Sequence, residues 1–520
     1  MTEMEYCKGK ISLEELLYYI LFSIILFTKA IGLDEGSSLF RCCLMLGVLL
    51  FGCKLVVGKY SITELILMGL LGLWGIFTFR FTGSLGMFIY IVLIIGMKNV
   101  SVKRTLYVGT GVWGACMLYT VTAAVFFGRT GVRIVHEKLG LGSILRESLG
   151  YTHPNVLHIT YIVFMAFVLY LCWDNKKKLF TAIILLLFGD AYIFLYSVSF
   201  TGLLFSFVLL ILVFYFQNRK KFSLIETASI GGLPIICIFI SIVLPLLMDG
   251  GIFYKVINKI LNNRLWAIRT FFQYYRVSLF GGRNEGIDFS LDNSYVFALN
   301  GYGVIPLFII VLTYILLLRY YLKKNRRAEL AIICAFLIAG LSEPFLFNAS
   351  VKNITVIFIG EFLFEIVKGK GCVFDLLSKY NRVFYVNTFW IQKISKKVLC
   401  IPWRKGIIIA GVIGGLCFWG LLSRDCVSID QVYVDEELCH VGGETVPLPK
   451  ESIDKRTLYI EGKSEDLNYY LFSRDNSRLI EIMDLRLKIS ISIYVSAALL
   501  MIWVYYRCSL KDKWKGKKVR

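Results

Sequence analysis

Apolar residues along this 520-residue chain gather into long runs separated by short polar breaks. Runs of roughly 17–22 residues are too long for strands and match the thickness of a bilayer's hydrocarbon core. About fourteen can be placed, centred near Phe22, Leu46, Leu70, Ile91, Ala115, Phe164, Leu186, Leu209, Ile238, Ile310, Phe336, Phe358, Ile413 and Ala498. The pattern predicts an all-α integral membrane protein with about fourteen transmembrane helices. The first run lacks a small-residue cleavage motif and is long enough to span, so it reads as an anchor, not a removed leader.

The polar breaks carry a second, independent pattern. Every other one holds a basic cluster: Lys54 and Lys59; Lys98, Lys103 and Arg104; Lys176 to Lys178; Arg219 to Lys221; Lys323 to Arg327; Lys393 to Lys397; and the tail from Lys511. Cytoplasmic loops are the ones enriched in Lys and Arg, so both termini are expected in the cytoplasm. Three segments expected outside are long, at about 128–155, 249–300 and 423–485. The expected organisation is a membrane core over 1–370 with about twelve spans, a cytoplasmic linker over 371–405, and a two-helix extension over 406–520 carrying segment 423–485. No internal repeat marks two inverted halves. The motif GxxxxGK[ST] is absent, so cytoplasmic ATP has no recognisable entry point.

Composition changes the picture in two places. The formal charge of +21 would suit a nucleic-acid binder, but the cations sit in loops between spans and not on one soluble face. They read instead as topology determinants touching anionic lipid heads. The chain has 14 cysteines and no CxxC pair, and most lie within apolar runs, where thiols act as small buried hydrophobes. Cys426 and Cys439 fall in an expected exterior segment and could pair.

Candidate chemistry concentrates in the exterior segments. The first holds Arg129, Arg133, His136, Arg146, Glu147, His153 and Asn155, with Pro154 stiffening entry to the sixth span. In the second, Leu261, Leu265, Ile268, Phe272 and Tyr275 recur at helical spacing and predict an interfacial helix. Arg269 and Arg276 lie seven apart on it, and Arg264 points elsewhere. Such a pair either touches lipid phosphate or clamps a diphosphate. Asp292 and Asn293 open the next span and suit either sugar hydroxyls or helix capping. Glu343, followed by Pro344, is an ionisable group where the eleventh span reaches the exterior, and such groups are functional candidates by default.

Three stretches together carry a resemblance: LGYTHPN at the start of a span, LNNRL followed by LFGGRNEG, and DNSYVFALNGYG opening the next span. Over about residues 10–370 the chain resembles the Wzy-type polysaccharide polymerases and O-antigen ligases of bacterial envelopes. The resemblance implies a multi-pass protein of the bacterial cytoplasmic membrane. It implies glycosyl transfer on the outer face, from a glycan on an undecaprenyl-diphosphate carrier to a sugar of another repeat unit, with no cofactor and no metal. Membrane lipids, a flippase and a chain-length regulator would be its partners. Arg264 would then hold the diphosphate leaving group, His153 and Asn155 match an H-P-N motif, and Asp292 and Asn293 a D-N motif. Glu343 is the candidate base for the acceptor hydroxyl. One departure stands out: SVSFTG puts Phe200 where the family often has arginine, so Arg129, Arg146 or Arg283 would have to supply that cation. A flippase for lipid-linked oligosaccharide, or a ligase transferring finished glycan, are the alternatives.

Overall fold

The computed structural model describes residues 8–33, 36–127, 132–138, 142–248, 250–261, 263–282, 291–369, 371–387, 403–424, 433–435, 438–441, 444–447, 459–463, 468–472 and 477–517. Arg129, Arg283 and Cys426 lie outside them.

The chain is a multi-pass membrane protein. Among the described residues, ten helices are long and apolar enough to cross a bilayer. Element order begins with strand β1 (Lys8–Ser12) and helices α1 (Leu13–Ala30), α2 (Ser38–Val57), α3 (Ile62–Thr82), α4 (Gly86–Gly96) and α5 (Val102–Phe127). A hairpin of β2 (Arg133–Lys138) and β3 (Gly142–Glu147) follows. Next come α6 (Pro154–Cys172), α7 (Lys176–Ser197), α8 (Phe200–Asn218), α9 (Leu224–Ile238), α10 (Leu244–Leu247), α11 (Ile252–Ile260) and α12 (Arg264–Tyr274). Helices α13 (Ser294–Tyr302), α14 (Val304–Lys324), α15 (Arg327–Ala339) and α16 (Thr355–Ile366) complete the run, followed by strand β4 (Val383–Asn387).

Four of the expected spans depart from the criterion. Helix α1 is 18 residues long but carries Glu14, Glu15 and Lys29. Helices α4, α15 and α16 have only 11, 13 and 12 residues. The end of α15 has a cause: Pro344 lacks an amide to donate to the Gly340 carbonyl and disfavours helix beyond Ala339. The chain instead runs through a largely buried non-helical stretch, 340–354. Non-helical backbone is tolerated beside a bilayer only where protein satisfies it, and side chains do so here. Asn293 donates to the Leu341 carbonyl at 3.0 Å and Asn353 to Leu346 at 2.9 Å, and Tyr295 donates to Leu337 in the last turn of α15 at 2.7 Å. A second proline shapes the span Leu224–Leu247. Pro245 cannot bond the carbonyl four residues back, and residues Phe239–Val243 form a π-helical turn directly before it.

Two lysines of the basic clusters are not solvated. Lys54 and Lys98 are 0% and 5% exposed. Lys54 reaches Glu14 at 3.1 Å and Lys98 reaches Glu64 at 2.5 Å. These cations are held by carboxylates rather than by lipid heads, because a buried ammonium needs a partner.

By internal contacts the chain divides into two compact units. One comprises residues 10–123 and 148–385. The other comprises 1–9, 124–147 and 386–520. In the latter, β2 and β3 pair antiparallel, with Arg133 opposite Glu147. Arg486 pins that hairpin, meeting Glu147 at 3.1 Å and the Leu145 carbonyl at 2.9 Å. Residues Trp403–Leu422 and Ser477–Lys517 form helices packed on each other, with Gly406 and Gly414 admitting Trp503 and Ser496 at close range. Between them lie β5 (Tyr433–Asp435), β6 (Leu438–Val441) and β7 (Glu444–Pro447) in one antiparallel sheet, and the hairpin β8 (Tyr459–Lys463) with β9 (Asn468–Phe472). The fold is thus mostly helical, in keeping with an all-α membrane protein, and its strands form only short two- and three-stranded sheets.

Candidate functional site

Four residues singled out from sequence, from four distant segments, meet at one end of the larger unit. Glu343 is the hub. Its Oε1 accepts from Asn155 Nδ2 at 3.1 Å and from Thr201 Oγ1 at 2.8 Å. Arg264 Nη2 lies 3.5 Å from the same oxygen and 3.4 Å from Asp292 Oδ2. These last two are ion-pair distances, longer than a close charge-assisted hydrogen bond. The Arg264 Nε is buried with no hydrogen-bond partner among the described residues. The guanidinium therefore has unspent donor capacity.

Local folding places each group. Asn263 adopts a left-handed backbone (φ +62°), which ends the preceding turn and starts α12 at Arg264. Leu265, Ile268 and Phe271 then bury one face of α12, and Ile268 and Phe271 join Val296 of α13 in a small core. The break also explains why Leu261, expected on the apolar stripe, is exposed. Asn293 caps α13 by accepting from the amides of Tyr295 and Val296, which fixes Asp292 beside it. Ser294 Oγ donates to the Glu343 carbonyl at 2.5 Å and accepts from Leu346 N at 3.2 Å. The turn between α7 and α8 supplies Ser199, which donates to Asn155 Oδ1 at 2.9 Å.

Strain marks the same neighbourhood. Val198 and Val351 have φ of +39° and +53°. β-Branched residues rarely tolerate that region, and each position costs on the order of 1–3 kcal/mol. They flank Ser199 and Lys352 respectively. Lys352 is buried, donates to the Val156 carbonyl at 3.3 Å and is close enough to Glu343 to interact with its charge. Burial pushes the Lys352 ammonium down to about 7, against the pull of Glu343. Burial pushes the Glu343 carboxyl above its ordinary value, against the pull of Arg264.

The remaining expected residues sit elsewhere. His153 is the N-cap of α6, its Nδ1 accepting from Asn155 N at 3.1 Å. Asn293 is buried as a cap and donates to Ser241 Oγ at 2.9 Å in the π-helical turn. Arg269 stacks on Tyr254, 4.9 Å from the ring centroid. Arg276 is exposed and follows the end of α12, so the two arginines do not form one helix face. Arg146 is buried on β3 in the other unit.

Sequence reasoning missed three partners. Thr201 and Ser199 flank Phe200 in SVSFTG, a turn inspected only for its missing arginine. Phe200 packs edge-on against Phe194 at 5.4 Å. Lys352 had no motif to announce it. A further buried cluster lies in the spans behind: His158 Nε2 is 2.9 Å from Asp190 Oδ1, His158 Nδ1 is 3.2 Å from Ser197 Oγ, and Ser206 donates to Asp190 Oδ2 at 2.8 Å. An Asp and a His within apolar runs were the available signal.

The site's chemistry is a buried carboxylate, raised above its ordinary value, beside an arginine with a donor to spare and a buried lysine. No group of metal-binding side chains occurs among the described residues. No protein-family model matches the chain, and no curated protein or solved structure is significantly similar to it.

Proposed function

We propose that the protein is a glycosyltransferase that polymerises undecaprenyl-diphosphate-linked oligosaccharide repeat units on the outer face of the bacterial cytoplasmic membrane. The observation that carries this reading is the convergence of Arg264, Asp292, Asn155 and Glu343, with Thr201 and Lys352, at one end of the membrane helices. In this reading Glu343 takes the proton of the acceptor hydroxyl. The acceptor oxygen bonds the anomeric carbon. The bond from that carbon to the diphosphate breaks, and its electron pair leaves with the diphosphate oxygen. Arg264, aided by Lys352, stabilises that growing charge. Asp292 orients Arg264, and Asn155 and Thr201 orient Glu343. With two termini inside, the site lies outside, where the lipid-borne donor is displayed.

A transport reading draws on a separate observation, the hydrogen-bonded His158 and Asp190 side chains buried within spans. A ligase would use the same site with a different acceptor. Deleting the gene and weighing carrier-linked glycans separates the three. Single repeat units in the outer leaflet support polymerisation. Units trapped in the inner leaflet point to a flippase, and long unattached glycan to a ligase. Complementation with Arg264→Ala should leave at most about 1% of polymer synthesis, the loss typical of one removed oxyanion donor. Arg264→Lys should fail as well, because an ammonium cannot reproduce the planar fork. Normal polymer from inserted Arg264→Ala protein would sink the reading.

A further inference from the structure

At the end of the helices opposite the acid cluster, a cavity of about 600 Å³ opens between the C-terminal ends of α8 and α14 and the first turn of α9. Its size falls in the range of small-molecule sites. Four cations ring it: Lys220, Lys221, Arg319 and Lys323. Among the described residues none that lines it is acidic. The nearby carboxylates are committed elsewhere. Glu226 holds Arg219 and accepts from Tyr215, and Glu365 holds Lys324. Among the described residues no ion pair is made by any of the four ring cations. Four like charges facing one concavity repel one another, and an anion seated there relieves this. Thr227 completes the wall, its hydroxyl donating to the Ser223 carbonyl at 2.9 Å.

The floor tells what kind of anion fits. Phe222 and Leu322 line it with apolar surface. Beside it, Leu224 and Ile225 in the first turn of α9 are 85% and 77% exposed, surface suited to a lipid environment. A free phosphate would leave that surface unused. A phosphate joined to acyl chains uses both.

We propose that this cavity is a specific binding site for the phosphate headgroup of an anionic phospholipid in the leaflet opposite the acid cluster. The charge pattern alone would attract such lipids loosely anywhere on that face. The cavity makes a stronger and different claim, that one headgroup is held by four named cations.

The test uses full-length protein in nanodiscs of phosphatidylcholine with a titrated fraction of phosphatidylglycerol, reading retained lipid by native mass spectrometry. The pocket variant carries Lys220→Gln, Lys221→Gln and Arg319→Gln. The control carries Lys176→Gln, Lys177→Gln and Lys178→Gln, which removes the same charge on the same face away from the cavity. Thr227→Trp fills the cavity at unchanged charge and serves if the triple pocket variant fails to insert. Expected is at least a tenfold loss of phosphatidylglycerol retention for the pocket variant and for Thr227→Trp, with less than a twofold change for the control. Equal losses in pocket and control variants would reduce the effect to general surface charge and overturn the site. Inorganic phosphate at millimolar concentration displacing nothing from wild type supports the lipid source. Pocket-dependent binding of inorganic phosphate with no preference for phosphatidylglycerol overturns it.

Discussion

At the residue scale, Glu343 is surrounded by neighbours that pull its protonation in opposite directions. Burial and Asp292 raise its carboxyl, and Arg264, Thr201 and Lys352 lower it. A base must be deprotonated to act, so the rate should rise with pH through the folded-state value, which is raised from that of an ordinary glutamate. Replacing Lys352 with Met removes a cation that favours the carboxylate, so the acid limb of the pH–rate profile should move further up. A limb that stays put in proteoliposomes would remove Lys352 from the site. Glu343→Gln should lower the single-turnover rate by about 100- to 10,000-fold. Retention within threefold would show that another group takes the proton. Glu343 was legible because Glu before Pro in an apolar run is conspicuous. Lys352 and Thr201 were not, since each gains meaning only from a fold that brings distant segments together. Gly202 packs directly against His158. A Cβ there would sit 2.3 Å from the His158 ring. Gly202→Ala should therefore destabilise the protein by about 1–3 kcal/mol, the usual range for overpacking. Thermal unfolding in detergent reads this, and an unchanged midpoint would show that α6 and α8 can separate without cost.

At the element scale, the start of α13 has two separable duties. Its Asn293 caps the helix through its oxygen and ties α13 to the π-helical turn and the 340–354 stretch through its nitrogen. Asn293→Asp keeps the cap and loses both donors. Asn293→Ala loses everything. The cap contributes about 1 kcal/mol. Each unpaired buried acceptor costs about 1–3 kcal/mol more. Stability should therefore fall in the order wild type, Asn293→Asp, Asn293→Ala, with much of the activity already lost in Asn293→Asp as the Glu343 stretch loosens. Full activity in that variant would mean the tie does not position Glu343. The cap itself was anticipated for Asp292 or Asn293, and the structure assigns it to Asn293. Length and periodicity made the long apolar helices legible. They failed at α15 and α16, where Pro344 and a run of side-chain hydrogen bonds replace helix with irregular backbone. They failed again at Arg133–Lys138 and Gly142–Glu147, whose pairing is a property of two strands and not of either alone. The stripe on α12 was right in kind and shifted in register, because the left-handed turn at Asn263 resets where the helix begins.

At the scale of the whole molecule, sidedness decides what the site can meet. Helix α8 holds Thr201 in its first turn and ends at Asn218 beside the basic cavity. Its 19 residues rise roughly 28 Å, so the acid cluster and the basic cavity occupy opposite ends of one span. That separation restates the charge alternation of the loops in three dimensions. If the alternation reports topology, the basic end faces the cytoplasm and Glu343 faces outward. Two positions test it in a cysteine-free version of the chain. Ser278 is exposed and its carbonyl accepts from Val304 N at the start of α14, at the acid end, and Lys176, exposed at the start of α7, lies at the basic end. A membrane-impermeant maleimide should label Ser278→Cys in intact cells and Lys176→Cys only after permeabilisation. The opposite result would put Arg264 and Glu343 in the cytoplasm, where a donor already flipped outward could not reach them. A polymerase would then be excluded however well the local geometry suits one, because the chemistry depends on which side of the bilayer holds the lipid-linked diphosphate.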